Sequence, residues 1–364
     1  MISKPRIAFI LDALPAIGGG EKTLFAALEV FPHADIFTLT YNQKAFAETP
    51  IASRKIFTSY LNRVPFAQTH HRLLLPLMPA AIERFDLCQY DVVVAFSYAV
   101  AHGMRVRDGA QHLCYMYTPM RYAWSNINLD GTHSRKNPLV DLAMQKFRRW
   151  DRSAAARVHE FAAISYGIAG RIQAAYQREA RVLYPPVEVE RFSVSGQRGD
   201  YFVTLSRLVP HKRVDLVIEA FSSLKLPLKV IGDGPERNRL QRRAGHNIEF
   251  LGYQSENAVA RLLGNARGFV SAAEEDFGIA IVEAQAAGCP VIVYRGGGAV
   301  ETVIEGETGL FFEKQSAQSL IEAVQAFQDS THSFRAGIMV DNARRFSKER
   351  FKRSFQQFVD SPGR

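Results

Sequence analysis

Short runs of β-branched and aromatic residues recur along this chain, separated by stretches of helical length, and the series occurs twice. The runs are Arg6 to Leu11 and Asp91 to Phe96 in the first half, then Tyr201 to Ser206, Leu228 to Ile231, Ile248 to Leu251, Gly268 to Ser271 and Pro290 to Tyr294. Strands spaced by helices imply parallel βαβ units, because a parallel sheet must bury both faces under its crossovers. The expected class is α/β, with two Rossmann-like sheets. At 364 residues the chain suits two cores better than one. Between the two series lies Val182 to Val187, whose paired Pro185 and Pro186 bar helix and set an extended connector. We therefore expect a first domain over 1–184 and a second over 185–342. The stretch Ala343 to Val359 spaces Phe346, Phe351, Phe355 and Phe358 at near-helical intervals among Lys and Arg. That spacing predicts one amphipathic helix within a terminal segment, 343–364, packing back on a domain, with the first as the candidate.

Hydrophobic residues at 47% and charged residues at 22% exclude wholesale disorder and a collagen-like chain. Three scattered cysteines, Cys88, Cys114 and Cys289, give neither a disulfide framework nor a paired metal motif, which suits a reducing, cytoplasmic setting. The opening apolar run, Ile7 to Leu11, is shorter than a signal-peptide core or a membrane span. Lys and Arg outnumber Asp and Glu by 45 to 36. Residues 1–180 hold 21 basic against 14 acidic residues, and the remainder 24 against 22, so the first half carries the field. A phosphate-bearing or polyanionic partner follows from that balance; no recognised nucleic-acid motif accompanies it.

Four motifs stand at expected strand ends. Gly18-Gly19-Gly20-Glu21-Lys22-Thr23 has glycines that permit close backbone approach ahead of a helix start, although Glu21 occupies the position where a nucleotide-triphosphatase loop needs glycine. It reads equally as a plain tight turn. Gly232-Asp233-Gly234-Pro235-Glu236-Arg237 lacks the third glycine of a dinucleotide fingerprint, and Pro235 is expected to open the next helix. Arg207 and Lys212, five apart around Pro210, either converge on one pyrophosphate or are solvated surface charge. The fourth motif runs from Ala273 to Gly288. Glu275 lies in the loop before its helix, Glu283 lies within an apolar helical stretch, and the amides of Phe277, Gly278 and Ile279 fall at the helix start. Glu283 reads either as a binder of a polyhydroxyl ligand or as half of a salt bridge with a neighbouring Arg.

The order SRLVPHK, IGDGPER, NIEFLGY and EEDFGIAIVEAQAAGCPVIVYRGGGAVETVIEGETGLFF resembles the donor-binding domain of retaining glycosyltransferase family 4, which has the two-domain GT-B fold. HRLLLPLMPAAIERFDL, YDVVVAFSYAVAHGM and CYMYTPMRYAW are similar to its bacterial O-antigen and exopolysaccharide branch, in which many members are GDP-mannose-dependent mannosyltransferases. The resemblance implies two facing domains with a cleft between them, and transfer of a hexose from a nucleotide sugar to a lipid-linked or polysaccharide acceptor, without metal or other cofactor. It places Arg207 and Lys212 on the donor diphosphate, Glu275 on the sugar hydroxyls beside the Phe277 to Ile279 amides, and Glu283 on the ribose. Gly252 and Tyr253 flank the base, Gly232 lines the donor site, and Gly18 to Gly20 pass near the diphosphate and acceptor. Members commonly carry His where this chain has Tyr117 before Thr118-Pro119, so Tyr117 is the expected substitute. Retention is ascribed to front-face attack, with the leaving phosphate taking the acceptor proton.

The acceptor is expected on the first domain. Arg54, Lys55, Arg63 and Arg72 lie near the apolar run Leu73 to Pro79, and Arg121, Arg135, Lys136, Lys146, Arg148, Arg149, Arg152 and Arg157 add charge. Basic residues beside apolar ones suit an anionic membrane surface and a peripheral location on the inner face of the cytoplasmic membrane. The rivals to this reading are the same fold using a UDP-sugar such as UDP-glucose, and a non-enzymatic nucleotide-sugar-binding subunit of a membrane assembly.

Overall fold

The computed structural model describes residues 5–124, 138–196, 198–330 and 334–360. The chain forms two compact units, one of residues 1–186 with 351–364 and one of residues 187–350.

The first unit is built on seven strands: β1 Ile7–Leu11, β2 Asp35–Thr38, β3 Ile56–Thr58, β4 Val92–Ser97, β5 Gln111–Met116, β6 Glu160–Ala163 and β7 Ala180–Val182. They run in the order β3-β2-β1-β4-β5-β6-β7, and every pairing is parallel. The second unit has six: β8 Phe202–Leu205, β9 Leu228–Ile231, β10 Ile248–Gly252, β11 Gly268–Ser271, β12 Val291–Tyr294 and β13 Gly309–Phe312. Their order is β10-β9-β8-β11-β12-β13, again all parallel. Both sheets are doubly wound: the chain steps outward one way, returns past its first strand and continues the other way. That reversal opens a crevice beyond the strand ends, between β1 and β4 in one unit and between β8 and β11 in the other.

The expected strands β1, β4, β8, β9, β10, β11 and β12 are present, with ends moved by a residue or so. Six others escaped the pattern. β5 and β13 contain no β-branched residue, β6 reads Glu-Phe-Ala-Ala, β2 opens on Asp35, and β3 and β7 have three residues each. Their pairing partners rather than their own propensities make them strands. β4 is buried along its whole length, as a central parallel strand must be.

The terminal Phe stripe is not one helix. Helices Ala336–Arg344 and Lys348–Asp360 are separated at Phe346, whose carbonyl accepts from the Val187 amide at 3.0 Å. Phe346 packs on Phe277 in the second unit, with ring centroids 5.4 Å apart. Phe351, Phe355 and Phe358 are buried in the first unit, where the Phe355 ring meets Phe9, Phe31 and Phe96 at 5.9, 6.0 and 5.7 Å. The stripe thus serves two cores. No described helix is long and apolar enough to cross a membrane.

Phe355→Ala empties the centre of this aromatic cluster and is expected to destabilise the first unit by about 3–5 kcal/mol. Urea unfolding followed by near-UV circular dichroism measures the loss; an unchanged midpoint would show that the helix is only loosely attached.

Candidate functional site

In the second unit the crevice is flanked by the loops leaving β8 and β11. After β8 the chain passes Ser206 and Arg207, makes a single 3-10 turn at Pro210–Lys212, and enters helix Val214–Leu224 through Arg213 at a left-handed φ of 49°. That turn carries Lys212 toward the end of β11. Its Nζ lies 2.8 and 2.6 Å from Oε1 and Oε2 of Glu275, and both side chains remain partly accessible. Glu275 is fixed through its backbone: Gly298 donates to its carbonyl at 2.7 Å, and Gly297 bridges to it. A Cβ at Gly297, where φ is +55°, would overlap the Glu275 carbonyl, and one at Gly298 would overlap the Phe277 backbone. Gly297 and Gly298, which no sequence motif singled out, therefore seat the acid. Helix Ile279–Ala286 begins beside it at Gly278, and Phe277 is buried.

Arg207 is exposed at the head of the β8 loop. Beneath it, Gly232 donates to the Gly252 carbonyl at 2.8 Å, and Leu208 donates to the Asp233 carbonyl at 2.9 Å. A Cβ on Gly232, at φ +123°, would overlap the Ser206 carbonyl. These glycines allow three loops to pack closely under Arg207. Pro235 does not open the next helix, which runs Arg237–Arg243; it sits in the preceding turn, closed by Arg237 N–H donating to the Gly234 carbonyl at 3.1 Å. The Gly234 amide and the Arg237 guanidinium hold the Asp233 carboxyl below its ordinary range. Tyr253, beyond β10, is 83% exposed.

Of the two readings of Glu283, the structure shows the ion pair. Arg191 Nη2 lies 3.0 Å from Glu283 Oε1, while Nη1 of the same guanidinium reaches Glu256 at 2.7 Å. The sequence offered no signal that singled out Arg191 as the partner, because the pair spans 92 residues.

The first unit's crevice is organised by a residue the motifs missed. Asp12, just past β1, is buried and accepts four backbone hydrogen bonds from the loop after β4: Tyr98 and Ala99 at 2.6 and 3.0 Å on one oxygen, Val100 and Ala101 at 2.6 and 2.7 Å on the other. Burial pushes its pKa up, opposed by these amides and by His102. His102 is fully buried; Nδ1 lies 3.0 Å from Ser97 Oγ, and Nε2 lies 3.0 Å from Asp151 Oδ1. Asp151 also accepts from Trp124 Nε1 at 2.7 Å and from the Tyr176 hydroxyl at 2.8 Å. Serine, histidine and aspartate line up, yet all three have no exposed surface, so the array ties helix Pro138–Ala156 to the sheet and meets no substrate.

Helix Gly19–Val30 starts at the Gly18–Gly20 loop. Glu21 lies in its first turn, with hydrogen bonds from its own amide and that of Gly18, as in a capping box. The amides expected to meet an external anion are thus partly engaged by an internal one. Tyr117 donates its hydroxyl hydrogen to the Gly20 carbonyl at 2.9 Å, so its donor is committed to the loop. Its phenol is pushed well up, chiefly by burial and then by the nearby Glu21 charge.

Among the basic residues, Lys55 and Arg63 are exposed, Arg54 and Arg121 are half-buried, and Arg149 is exposed. Two of the second cluster are half-buried and bonded to backbone carbonyls, correcting the expectation that they add to an acceptor face: Arg148 donates to the Ala123 carbonyl at 2.6 Å and Arg157 to the Gly103 carbonyl at 2.8 Å. Arg152 stacks on Trp124 at 4.9 Å and stays exposed. The Arg72 side chain, and Arg135 and Lys136, lie outside the described residues. Among the described residues, no three His, Cys, Asp or Glu are grouped so as to hold a metal ion.

Residues 188–346 match the family described as Glycosyl transferases group 1. The chain is 29% identical over 211 residues to an uncharacterised glycosyltransferase of Methanocaldococcus jannaschii, covering 56% of this chain and 59% of that one. It is 34% identical over 141 residues to a GDP-mannose-dependent α-(1-6)-phosphatidylinositol monomannoside mannosyltransferase of Mycolicibacterium smegmatis, covering 34% and 37%. The chain therefore spans less than two thirds of either relative. Among solved structures, Anabaena HepE in complex with UDP-glucose superposes with a TM-score of 0.71 at 18% identity, covering 98% of this chain and 99% of that one. Sucrose-phosphate synthase of Thermosynechococcus elongatus does so at 0.73 and 15%, covering 97% and 98%. These likenesses show the fold: it is the GT-B fold, with two Rossmann-like domains.

Burial raises the Glu21 pKa from its ordinary 4.5 to about 6. The folded chain then holds a proton that the unfolded chain releases, so stability is full below pH 4.5 and falls as pH rises through about 6. Glu21→Gln should remove that decline, gaining about 2 kcal/mol above pH 6 and nothing below pH 4.5. Urea unfolding across this range checks it; a uniform gain at all pH values would contradict the assignment.

Proposed function

We propose that this protein is a retaining glycosyltransferase that moves a hexose from a nucleotide-sugar donor to a lipid-linked glycan. The observation that carries the reading is the accessible Lys212–Glu275 pair at the crevice of the second unit, within the segment that matches the glycosyltransferase family. A lysine and a carboxylate at one strand-end crevice supply what a nucleotide sugar needs: positive charge for the diphosphate and an acceptor for sugar hydroxyls. Arg207 joins Lys212 on the diphosphate, and together they neutralise charge on the departing nucleotide, so neither metal nor cofactor is required. Glu275 orients the hexose beside the amides of Phe277 to Ile279. Tyr253 covers the base from the end of β10, near Gly252 and Gly232. Glu283 engages the ribose while Arg191 holds it in place. The anomeric C–O bond to the diphosphate breaks as the bond to the acceptor oxygen forms on the same face, and the acceptor proton passes to the leaving phosphate. Glycan acceptor and anionic membrane belong to the first unit, where Gly18 to Gly20, shaped by Tyr117, border the crevice and Arg54, Lys55, Arg63, Arg121 and Arg149 contribute charge. The protein then works peripherally on the cytoplasmic side of the membrane.

Mannose from GDP-mannose is the favoured donor, supported by the name of the Mycolicibacterium relative. UDP-glucose is the second reading, supported by the HepE complex.

A panel of nucleotide sugars in thermal-shift assays separates the two, since a ligand at about 100 times its Kd stabilises the fold by about 2.7 kcal/mol. Glu275→Ala is expected to lower transfer by about 10²–10³-fold with circular dichroism unchanged. Full turnover by that variant would remove Glu275 from the site. Failure of the purified protein to transfer or hydrolyse any donor it binds would favour the binding-subunit reading.

A further inference from the structure

The second unit holds a cavity of about 380 Å³ at the end of its sheet opposite the crevice. Among its lining residues, Arg267 immediately precedes β11, Pro290 immediately precedes β12, and Asp200 lies two residues ahead of β8. These three strands are parallel neighbours, so the cavity sits at their amino-terminal ends, whereas Lys212 and Glu275 follow the carboxyl ends. Four-residue strands at about 3.3 Å per residue put about 13 Å of sheet between the two places. A ligand in one leaves the other accessible.

Two arginines are brought together here by the backbone. The Gly199 amide donates to the Asn265 carbonyl at 2.7 Å, and the Arg267 amide donates to the Tyr201 carbonyl at 2.8 Å. These bonds hold the segment carrying Arg198 alongside the segment carrying Arg267, and both side chains line the cavity. Arg198 is exposed, and its Nη2 donates to the Gly288 carbonyl. Arg267 is half-buried, with its guanidinium carbon 5.8 Å from the centre of the Phe202 ring. Among the described residues neither guanidinium meets a carboxylate, and Asp200, the one acid in the lining, stays exposed. The rest of the lining is apolar. Half-buried Phe334 stacks on buried Phe327 with ring centroids 5.3 Å apart and planes 21° from parallel, and Pro290 adds a further ring.

Supporting the Gly288 carbonyl accounts for one N–H of Arg198, and covering Phe202 accounts for the flat face of Arg267. Neither role requires two like charges beside one cavity. Mutual repulsion and partial desolvation make that arrangement unfavourable unless an anion joins it. The planar fork of a guanidinium matches two oxygens of a carboxylate, sulfonate or phosphate, while aromatic and proline rings offer a flat apolar surface. A volume of this size falls within the range of small-molecule sites, roughly 300–1,000 Å³.

We infer that this cavity binds a small ring-bearing anion, with Arg198 and Arg267 on the anionic group and Phe334 and Pro290 against the ring. The site is separate from the donor crevice, and its test does not depend on the transferase reading.

The test is isothermal titration calorimetry of the full chain with naphthalene-2-sulfonate, alongside uncharged 2-naphthalenemethanol and the ringless anion methanesulfonate. Naphthalene-2-sulfonate is expected to saturate one site per chain, and each of the other two to bind at least tenfold more weakly. Arg267→Met keeps an apolar stem over Phe202 and removes the fork, so it should weaken naphthalene-2-sulfonate about tenfold or more, as should Arg198→Met. Asp200→Asn removes the one negative charge of the lining and should tighten binding about two- to fivefold. That surface change keeps the test informative where an arginine variant fails to fold, which thermal melts report. Lys212→Ala with Glu275→Ala, at the far end of the sheet, should leave the affinity unchanged. The inference is overturned by wild-type protein that shows no saturable binding of naphthalene-2-sulfonate, by a folded Arg267→Met variant that binds it fully, by an Asp200→Asn variant with unaltered or weaker affinity, or by loss of binding in the Lys212→Ala/Glu275→Ala variant, which would put the probe in the crevice.

Discussion

Four backbone N–H groups, those of Tyr98 to Ala101, converge on the carboxylate of Asp12. A doubly wound sheet leaves its two central strands ending side by side with no crossover above them, so the donors beyond those ends have no ladder to join. In the first unit one buried acid satisfies them, and the loop after β1 and the loop after β4 become one piece. The Gly18–Gly20 loop and the buried Ser97–His102–Asp151 array are placed relative to each other through that joint. Burying a carboxylate is costly, and four charge-assisted hydrogen bonds are what make it tolerable.

The second unit meets the same constraint differently. Its two strand ends are tied by Lys212 and Glu275, while the backbone of the β11 loop is held by Gly297 and Gly298. That ion pair is partly open to solvent. The equivalent joint in the first unit is buried. One fold, used twice, thus joins its strand ends by a sealed acid in one unit and by an accessible ion pair in the other.

The glycines show a motif whose position is legible before its packing is. The Gly232 turn reads from sequence as lying near a nucleotide or as shaping the domain; in the structure its backbone packs against the Ser206 carbonyl, beneath Arg207. The effect on the site is indirect but real, since that packing sets the height of the loop carrying the guanidinium. Glu283 follows the same pattern. An acid in an apolar helix demands a partner, and that much was legible; the partner, Arg191, is 92 residues away and was not. The basic residues in and just after helix Pro138–Ala156 divide likewise, with Arg148 and Arg157 half-buried and bonded to backbone carbonyls although their residue type suggests solvent, while Arg149 and Arg152 stay exposed.

The amino-acid sequence by itself determined the class, the repetition of the βαβ pattern, the connector at Pro185-Pro186 and the strand-end placement of Arg207, Lys212 and Glu275. Those depend on local rules: residue periodicity, the fixed φ of proline, and the tendency of motifs to fall where a strand yields to a helix. Tertiary structure alone decided the six weak strands, the division of the phenylalanine stripe between two cores and the convergence of amides on Asp12. Each of these is settled by energy shared between residues distant in the chain. No pattern in either partner alone records such a bargain.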